Sequence, residues 1–264
     1  PCALVVMETE LWPNTLAAAR RQGLPVLLAN ARLSERSARG YAKAGALTRE
    51  MMQNLSIVAA QDQAAASRFC ALGVPSARVV VTGSLKFDIT ISVGQTALAQ
   101  AWREQHALLG RPVWVAASTH PGEDEPVLAA HALLRQHLPD ALLILVPRHP
   151  ERFQGVAELI DATGLRYARR STQAPVQAET VVWLGDSMGE LMSWLALAQA
   201  AFVGGSLVPR GGHNALEPLA LGVPALTGPH DFNFASINAE LSAAGALQTV
   251  QDAAALADAL YALL

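Results

Sequence analysis

The chain has 264 residues, 52% of them hydrophobic and 16% charged, which suits one large α/β domain or two smaller ones. A net charge of −3 and no lysine- or arginine-rich run argue against nucleic acid as a partner. The two cysteines are too few for a disulfide framework, and no run of about 20 apolar residues is present to span a bilayer. Composition therefore predicts a globular protein of a reducing compartment, the cytoplasm.

Short β-rich runs alternate with helical stretches in the first part of the chain. The predicted strands are Ala3 to Met7, Val26 to Ala29, Ile57 to Ala60 and Val79 to Val81, and the predicted helices are Thr15 to Gln22, Ala38 to Met52 and Ala64 to Leu72. Strands that alternate with helices favour a parallel sheet with right-handed crossovers. A polar passage from Ser84 to Gly94 ends the series, so we predict a first domain over 1–94 and a second over 95–264.

The same alternation starts again after a predicted helix from Thr96 to Leu109. Further predicted strands are Val113 to Ala117, Leu142 to Val146, Thr180 to Leu184, Ala200 to Val203 and Ala225 to Thr227, with helices at Glu125 to Leu138, Phe153 to Thr163, Leu191 to Leu197 and Pro218 to Leu221. The pattern predicts an α/β protein of two doubly wound, Rossmann-like domains.

Polar residues follow most of these strands, at the positions where open parallel sheets bind ligands. They are Glu8 to Glu10, Asn30 to Arg32, Gln61 to Asp62 and Gly83 to Lys86 in the first domain, and Ser118 to Glu123, Pro147 to Pro150 and Gly185 to Glu190 in the second. Polar groups at one end of two sheets predict a cleft between the domains. Each group also has a plain interpretation, since Ser187 with Glu190 fits a capping box and His120 and His149 fit ordinary loop histidines.

A glycine-rich run from Gly204 to Pro218 joins the fourth of these strands to the next helix. Glycine lets the backbone approach a ligand closely, helix N-termini attract anions, and Arg210 adds positive charge, so we predict a phosphate-bearing ligand here. The alternative interpretation is that Asn214 and Glu217 form an N-cap and capping box, as in many helices that bind nothing.

Several longer motifs occur together in one order along the chain. They are Met-Glu-Thr-Glu-Leu-Trp-Pro-Asn at 7–14, Ser-Leu-Lys-Phe-Asp at 84–88, Ser-Thr-His-Pro-Gly-Glu at 118–123, Pro-Arg-His-Pro at 147–150, Gly-Asp-Ser-Met-Gly-Glu-Leu at 185–191 and Gly-Gly-His-Asn-Ala-Leu-Glu-Pro at 211–218. Nearly the whole chain thus resembles the 3-deoxy-D-manno-octulosonic acid (Kdo) transferases of lipopolysaccharide synthesis.

The resemblance implies a GT-B glycosyltransferase that moves Kdo from CMP-Kdo onto the lipid A precursor, lipid IVA, at the cytoplasmic face of the inner membrane. It implies that Glu8 and Lys86 assist the transition state. It also implies that CMP is bound by Pro147, Arg148, Met188, Gly189, Glu190, Asn214, Ala215, Leu216 and Glu217. We read the sequence, which starts at Pro1, as part of a longer protein. The family's general base and membrane anchor are therefore expected upstream, and the first domain is expected to be incomplete.

Two observations on the residues agree with this resemblance. No Asp-x-Asp pair is present to bridge a diphosphate through a metal ion, so neither a metal nor another cofactor is predicted. The first fifty residues carry seven Lys or Arg against four Glu, and four of the cations group at Arg32, Arg36, Arg39 and Lys43, which suits an anionic acceptor or lipid headgroups. A UDP-sugar epimerase on the same scaffold and an inactive nucleotide-binding module remain the alternatives. The sequence does not fix the oligomeric state.

Overall fold

The computed structural model describes residues 1–264, apart from the side chain of Ser236. The chain divides into two units, Pro1–Asp88 and Ile89–Leu264. This division lies a few residues before the predicted boundary, because the helix α5 (Val93–Gln105) packs against α8 (Leu191–Leu197) of the second unit. Ser92 and Gln95 begin α5 with a reciprocal capping box.

The first unit has four parallel strands in the order β1-β2-β3-β4 and four helices. Its elements are β1 (Leu4–Met7), α1 (Pro13–Arg21), β2 (Val26–Ala31), α2 (Glu35–Lys43), α3 (Gly45–Gln53), β3 (Ile57–Ala60), α4 (Gln63–Ala71) and β4 (Val79–Val81). Side chains such as Leu16, Leu28, Met52 and Phe69 are fully buried between helices and sheet. Alternate positions on the strands, among them Val5, Ile57 and Val80, are exposed.

The second unit has a seven-stranded parallel sheet in the order β11-β10-β9-β5-β6-β8-β7. Its remaining elements are β5 (Val113–Thr119), α6 (Asp124–Leu134), β6 (Leu142–Pro147), α7 (Phe153–Thr163), β7 (Tyr167–Arg169), β8 (Val182–Leu184), β9 (Ala200–Val203), α9 (Leu216–Ala220), β10 (Ala225–Thr227), α10 (Ala235–Ala243), β11 (Leu247–Thr249) and α11 (Ala253–Leu263). Two large buried clusters involve the strands of this sheet, one containing Trp114 and Phe202 and the other Trp183 and Trp194.

The structure differs from the sequence prediction at a few elements. The helix predicted from Ala38 to Met52 is two helices, because Gly45 adopts a left-handed φ of 48° and the Thr48 hydroxyl donates to the carbonyl of Tyr41 at 2.6 Å. The short strands β7 and β11 and the helices α10 and α11 were not predicted. Among the described residues, none of the helices is both long enough and apolar enough to cross a membrane.

Candidate functional site

The loops that follow β5 and β9 meet at the centre of the second sheet. The chain runs from β5 towards β6 on one side and returns to β9 on the other, so this is the point where ligands bind in open parallel sheets. Ser118 marks the end of β5 with a φ of 58° and a shift in strand register. This turn directs the following loop towards the loop after β9.

A buried carboxylate holds these two loops together. Glu123 is fully buried, and its carboxylate accepts hydrogen bonds from the backbone amides of His120 at 2.8 Å, Gly205 at 2.6 Å, Ser206 at 2.9 Å and Leu207 at 2.9 Å. Four backbone donors compensate the burial of one negative charge. The prediction that the glycine-rich run offers its amides to a ligand phosphate is therefore corrected at these positions, because Glu123 already occupies them.

The backbone around Gly204 and Gly228 is packed too closely to leave room for a side chain at either position. A Cβ on Gly204 would lie 2.7 Å from the carbonyl oxygen of Ser118, and a Cβ on Gly228 would lie 2.3 Å from that of Ser206. The Ser206 hydroxyl donates to Val203 at 2.6 Å and accepts from the amide of Gly228 at 2.8 Å. The glycines here serve backbone packing around a buried serine.

Three histidines gather above this packed loop. The Nε2 atoms of His120 and His213 are 2.9 Å apart, and their rings lie within 14° of parallel. The ring of His149 meets that of His120 edge-on at 5.3 Å. Burial, with further contributions from His120 and Arg148, lowers the pKa of His213 to about 4. Burial also lowers the pKa of His120, although Glu123 opposes that shift.

The predicted residues Arg148 and Glu217 belong to the same surroundings. Arg148 follows the buried Pro147 at the end of β6, and its amide donates to the carbonyl of Thr119 at 3.0 Å. Burial raises the pKa of the Glu217 carboxyl, and the positive charge of Arg148 partly offsets this shift. The half-buried carboxylate of Glu217 suits the hydroxyl groups of a nucleotide, and the nearby guanidinium of Arg148 suits its phosphate.

Asn214 and Glu217 do not form the capping box that was the alternative interpretation. The N-cap of α9 is Ala215, and the Asn214 Oδ1 accepts from the amide of Leu216 at 3.2 Å in a turn just before the helix. The helix begins two residues earlier than predicted, at Leu216, so Pro218 lies in its first turn. Glu217 therefore has no capping partner to explain its position.

A second polar group lies at the carboxyl ends of β7 and β8. Arg170 donates to Glu190 through Nη2 at 2.9 Å and Nε at 3.1 Å, and Ser187 also donates to Glu190. These bonds fix the loop that carries Met188, which is exposed, and Gly189, which has a φ of 80°. The Ser187–Glu190 contact is thus side chain to side chain and not the predicted capping box, since Glu190 is the N-cap residue of α8 without a side-chain cap bond.

Asp186 and Arg169 extend this second group. The Asp186 carboxylate accepts from Arg169 Nε at 2.8 Å and from the Ser171 amide at 2.8 Å. Burial alone raises the pKa of Asp186, but the hydrogen bonds from Ser171 and Arg169 outweigh it and hold that pKa below its usual value. Sequence analysis missed both arginines because the three-residue strand β7 was not predicted.

In the first unit the polar strand ends also lie together. Glu8, just after β1, has a φ of 53° and pairs with Arg32 Nε at 3.3 Å. Asn30 has a φ of 49°, accepts from the amide of Leu85 at 3.1 Å and receives Gln61 on its carbonyl at 3.0 Å. A cavity of 410 Å³ opens between the ends of β2 and β3 and the loop after β4, lined by Ala29, Asn30, Ala59, Thr82, Gly83, Ser84, Leu85, Phe87 and Asp88. Lys86 lies half-buried in the 3-10 turn Leu85–Phe87.

Some strand-end side chains stabilise local structure. Asp62 caps α4 by accepting from the amide of Ala65 at 2.6 Å. Arg152 donates to Asp124 and to the carbonyl of Thr119, and burial raises the pKa of Asp124 although Thr119 and Arg152 oppose it. Within the part of the chain that the structure describes, no group of three or more His, Cys, Asp or Glu side chains could hold a metal ion.

Comparison with known proteins gives a consistent result for both units. A family model described as 3-Deoxy-D-manno-octulosonic-acid transferase (kdotransferase) matches residues 1–89. A 3-deoxy-D-manno-octulosonic acid transferase of Haemophilus influenzae is 44% identical over 100% of this chain and 62% of its own length. The Bordetella pertussis protein of the same name is 41% identical over 96% of this chain and 58% of its own length. The chain thus spans about three fifths of these relatives.

Solved structures match the fold. The C-terminal CMP-Kdo binding domain of WaaA from Acinetobacter baumannii is 42% identical with a TM-score of 0.63, covering 65% of this chain and 90% of that domain. A UDP-GlcNAc 2-epimerase of Neisseria meningitidis is 15% identical with a TM-score of 0.61 over 98% of this chain and 66% of that one, which is a likeness of fold alone. These matches confirm the predicted GT-B fold class.

Proposed function

The chain belongs to the 3-deoxy-D-manno-octulosonic acid transferase family, and from this membership we propose that it transfers Kdo from CMP-Kdo to the lipid A precursor. In the proposed reaction an acceptor hydroxyl gives its proton to the family's general base and attacks the anomeric carbon of Kdo. The bond from that carbon to the phosphate oxygen breaks, CMP departs, and the configuration inverts. The proposed activity is that of a protein of its relatives' full length, of which this chain spans about three fifths.

One observation carries the proposal: the second unit is 42% identical over 90% of a domain named for CMP-Kdo binding. The proposed CMP contacts are Pro147, Arg148, Met188, Gly189, Glu190, Asn214, Ala215, Leu216 and Glu217. Pro147 is the last residue of β6, and the others lie in loops or a first helical turn beyond the carboxyl ends of β6, β8 and β9. We assign Arg148 to the nucleotide phosphate side and Glu217 to the ribose hydroxyls, since a carboxylate accepts two hydroxyl hydrogen bonds well.

Two residues of the first unit are proposed to act on the reacting atoms. Lys86 offsets the negative charge that develops as the phosphate leaves, and Glu8 orients the sugar or the acceptor in line. Glu8 suits this role because its left-handed backbone and its ion pair with Arg32 hold the carboxylate at the end of β1. Backbone strain of this kind is often found at functional sites.

The leaving phosphate is proposed to be stabilised by cationic and neutral protein donors, with no divalent ion. The chain has no Asp-x-Asp pair of the type that bridges a metal ion to a diphosphate, and a monophosphate leaving group carries less charge to neutralise. We therefore expect CMP binding to be unchanged when EDTA is present.

The acceptor and the location follow from the same family membership. We propose that the protein works at the cytoplasmic face of the inner membrane on a lipid A precursor. Helix α2 supports a membrane-facing surface, because every one of its residues is exposed or half-buried and Arg36, Arg39 and Lys43 lie on it. Anionic headgroups attract such cations.

Calorimetry with CMP, UDP and GDP tests the nucleotide assignment. We expect CMP to bind most tightly and Arg148→Ala to weaken CMP about tenfold or more, since charge-assisted hydrogen bonds to phosphate are strong. Arg135→Ala, at the C-terminal end of α6, is the matched control. Preference for UDP would instead favour a nucleotide-sugar epimerase, and CMP binding without transfer in any longer form would favour an inactive binding module.

Transfer itself is measured in the chain extended to the length of its relatives. Glu8→Ala and Lys86→Ala are each expected to lower the rate about 10² to 10³-fold while leaving CMP affinity intact, because both act on the reacting centre. Glu50→Ala and Arg20→Ala, at exposed positions of helices in the first unit, are the controls. Normal turnover in the first pair of variants would remove the proposed roles.

A further inference from the structure

Several of the backbone amides that the glycine-rich run would offer to a phosphate are filled from within. Glu123 receives the amides of Gly205, Ser206 and Leu207, and the amide of Gly212 donates to the carbonyl of Gly205 at 2.7 Å. A phosphate placed on the first three would have to displace a fully buried carboxylate, which is costly. A phosphate in this region therefore needs partners other than these four amides.

The nearest unusual feature is the imidazole pair formed by His120 and His213. Their ring centroids are 5.1 Å apart while the Nε2 atoms are 2.9 Å apart, so the nearly parallel rings meet end to end through one N–H···N hydrogen bond. That geometry requires one Nε2 to donate and the other to accept. The pair can therefore hold one extra proton, shared between the rings, but not two.

The outer nitrogens of the pair are without a protein partner. Neither Nδ1 makes a hydrogen bond among the described residues, and neither is fully buried. With one extra proton on the pair, both Nδ1 atoms become N–H donors. The protonated pair thus carries one positive charge and an N–H donor at each outer end, whereas the neutral pair has a donor at only one end and no charge.

The surrounding charges keep the pair neutral until an anion arrives. The extra proton is disfavoured by four nearby cationic or titratable groups and favoured by the carboxylate of Glu123. The four groups are His149, Arg148, Arg152 and Arg210. Burial disfavours it as well, which is why the pKa of His213 is about 4. An anion at this place changes the balance, because its charge opposes the arginines and compensates for burial.

We propose that the His120–His213 pair is a proton-linked binding site for a phosphate oxyanion, and that the pair takes one proton from solvent when the anion binds. This rests on the proposed function only in identifying the anion as the phosphate of a cytidine nucleotide. Glu123 is the positioning residue of the site, since it fixes the His120 backbone and the loop that leads to His213. Its negative charge also stabilises the protonated pair.

Calorimetry at pH 7 in two buffers of different ionisation enthalpy counts the protons taken up on binding. We expect cytidine 5′-monophosphate to bind with uptake of about half a proton or more. Cationic surroundings lower the phosphate's own pKa near 6 and release protons, so the ligand cannot supply an uptake. Cytidine, which lacks the phosphate, is expected to bind with no uptake. Inorganic sulfate, which does not titrate here, is the second anion.

Variants locate the proton. His213→Gln and His120→Gln are each expected to abolish the uptake and to weaken cytidine 5′-monophosphate about tenfold, because a charge-assisted hydrogen bond is lost. His137→Gln, at an exposed histidine that contacts Tyr261, is the control and keeps both quantities. Glu123→Gln is expected to reduce the uptake, with its thermal unfolding compared with the wild type to check the fold.

The outcomes separate this inference from the proposed function. Binding of cytidine 5′-monophosphate with no proton uptake, and equal affinity in His213→Gln, overturns the inference and leaves the nucleotide assignment standing. If the nucleotide does not bind but sulfate raises the pKa of the imidazole pair, followed by NMR, the inference stands and the proposed function fails. If neither anion perturbs the pair, the inference is overturned.

Discussion

At the scale of single residues, Gly204 directly follows β9 at a point surrounded by backbone atoms. A Cβ there would lie 2.7 Å from the carbonyl oxygen of Ser118 and 2.9 Å from that of Ala117. Neither oxygen can rotate away as a flexible side chain can. We expect Gly204→Ala to lower the free energy of unfolding by about 1–3 kcal/mol through overpacking. Urea unfolding measures this.

Gly155 in α7 is the matched control for that substitution, because nothing lies within 4 Å of a Cβ built on it. Gly155→Ala is expected to stabilise the protein by about 0.5–1 kcal/mol, since alanine loses less backbone entropy in a helix. Equal stabilities of the two variants would mean that the end of β9 relaxes freely, and the close approach would then not explain the glycine.

His131 gives a pH-dependent stability at the same scale. It is fully buried, its Nδ1 accepts from Trp114 Nε1 at 3.1 Å, and its Nε2 donates to the carbonyl of Val181 at 2.8 Å. The neutral ring satisfies both contacts, whereas a protonated ring would set two donors against each other. Burial lowers its pKa from 6.5 to about 3, despite the opposing bond to Val181.

The sign of the effect follows from these pKa values. Below pH 6.5 the unfolded chain binds a proton that the folded chain refuses until about pH 3, so the stabilisation is complete above 6.5 and is lost as the pH falls. The slope from this group is at most about 1.4 kcal/mol per pH unit. In urea unfolding from pH 8 to 4.5, His131→Leu should flatten the wild-type slope and His137→Gln should keep it. An unchanged slope in His131→Leu would contradict this account.

At the scale of elements, the sequence pattern located most elements up to β10 but missed the strands β7 and β11 and the helices α10 and α11. Helix α7 and strands β9 and β10 have the predicted bounds, because each is a run of residues typical of one kind of secondary structure, with clear ends. Strands β7 and β11 are three residues long and mix polar with apolar side chains, Tyr-Ala-Arg and Leu-Gln-Thr, so neither forms an apolar run. The break between α2 and α3 depends on a left-handed Gly45, which the surrounding helical residues conceal.

The candidate site, too, was predictable only in part. The sequence located the polar strand ends, because a parallel sheet sets all carboxyl ends at one edge. It did not reveal that Glu123 takes the amides of the glycine-rich run, since this bond joins residues about eighty positions apart. The end-to-end contact of His120 with His213 spans 93 positions and has no local signal either.

Helix α2 carries the prediction that belongs to the element scale. We expect this helix to bind anionic lipid vesicles. The test measures sedimentation of the protein with vesicles that contain one-third phosphatidylglycerol. Each surface cation near an anionic bilayer contributes about 1 kcal/mol, so Arg36→Gln with Arg39→Gln should weaken binding roughly 30-fold. Arg20→Gln with Arg21→Gln, two exposed arginines at the end of α1, is the matched pair. Equal losses in the two double variants would remove α2 as the contact surface.

At the scale of the whole molecule, each unit has a hydrophobic core of its own. The first contains Phe69 and the second Phe202, and both side chains are fully buried. The cores differ in kind, because the four-stranded sheet leaves Val5, Ile57 and Val80 exposed while the central strands β5, β6 and β9 are buried on both faces. Less apolar area removed from water means a smaller stabilisation per residue in the first unit.

Two separate thermal transitions are therefore expected, with the first unit unfolding at the lower temperature. Phe69→Ala should lower that transition and Phe202→Ala the upper one, since each truncation costs about 3–5 kcal/mol of the core it belongs to. A ligand stabilises only the unit that binds it, so CMP at 100 times its Kd adds about 2.7 kcal/mol to the second unit alone. For a unit of this size that raises the upper transition by about 5–10 °C. Differential scanning calorimetry measures both transitions. A CMP-induced shift of the lower transition, or one transition that both substitutions move equally, would contradict independent cores and would place nucleotide binding outside the second unit alone.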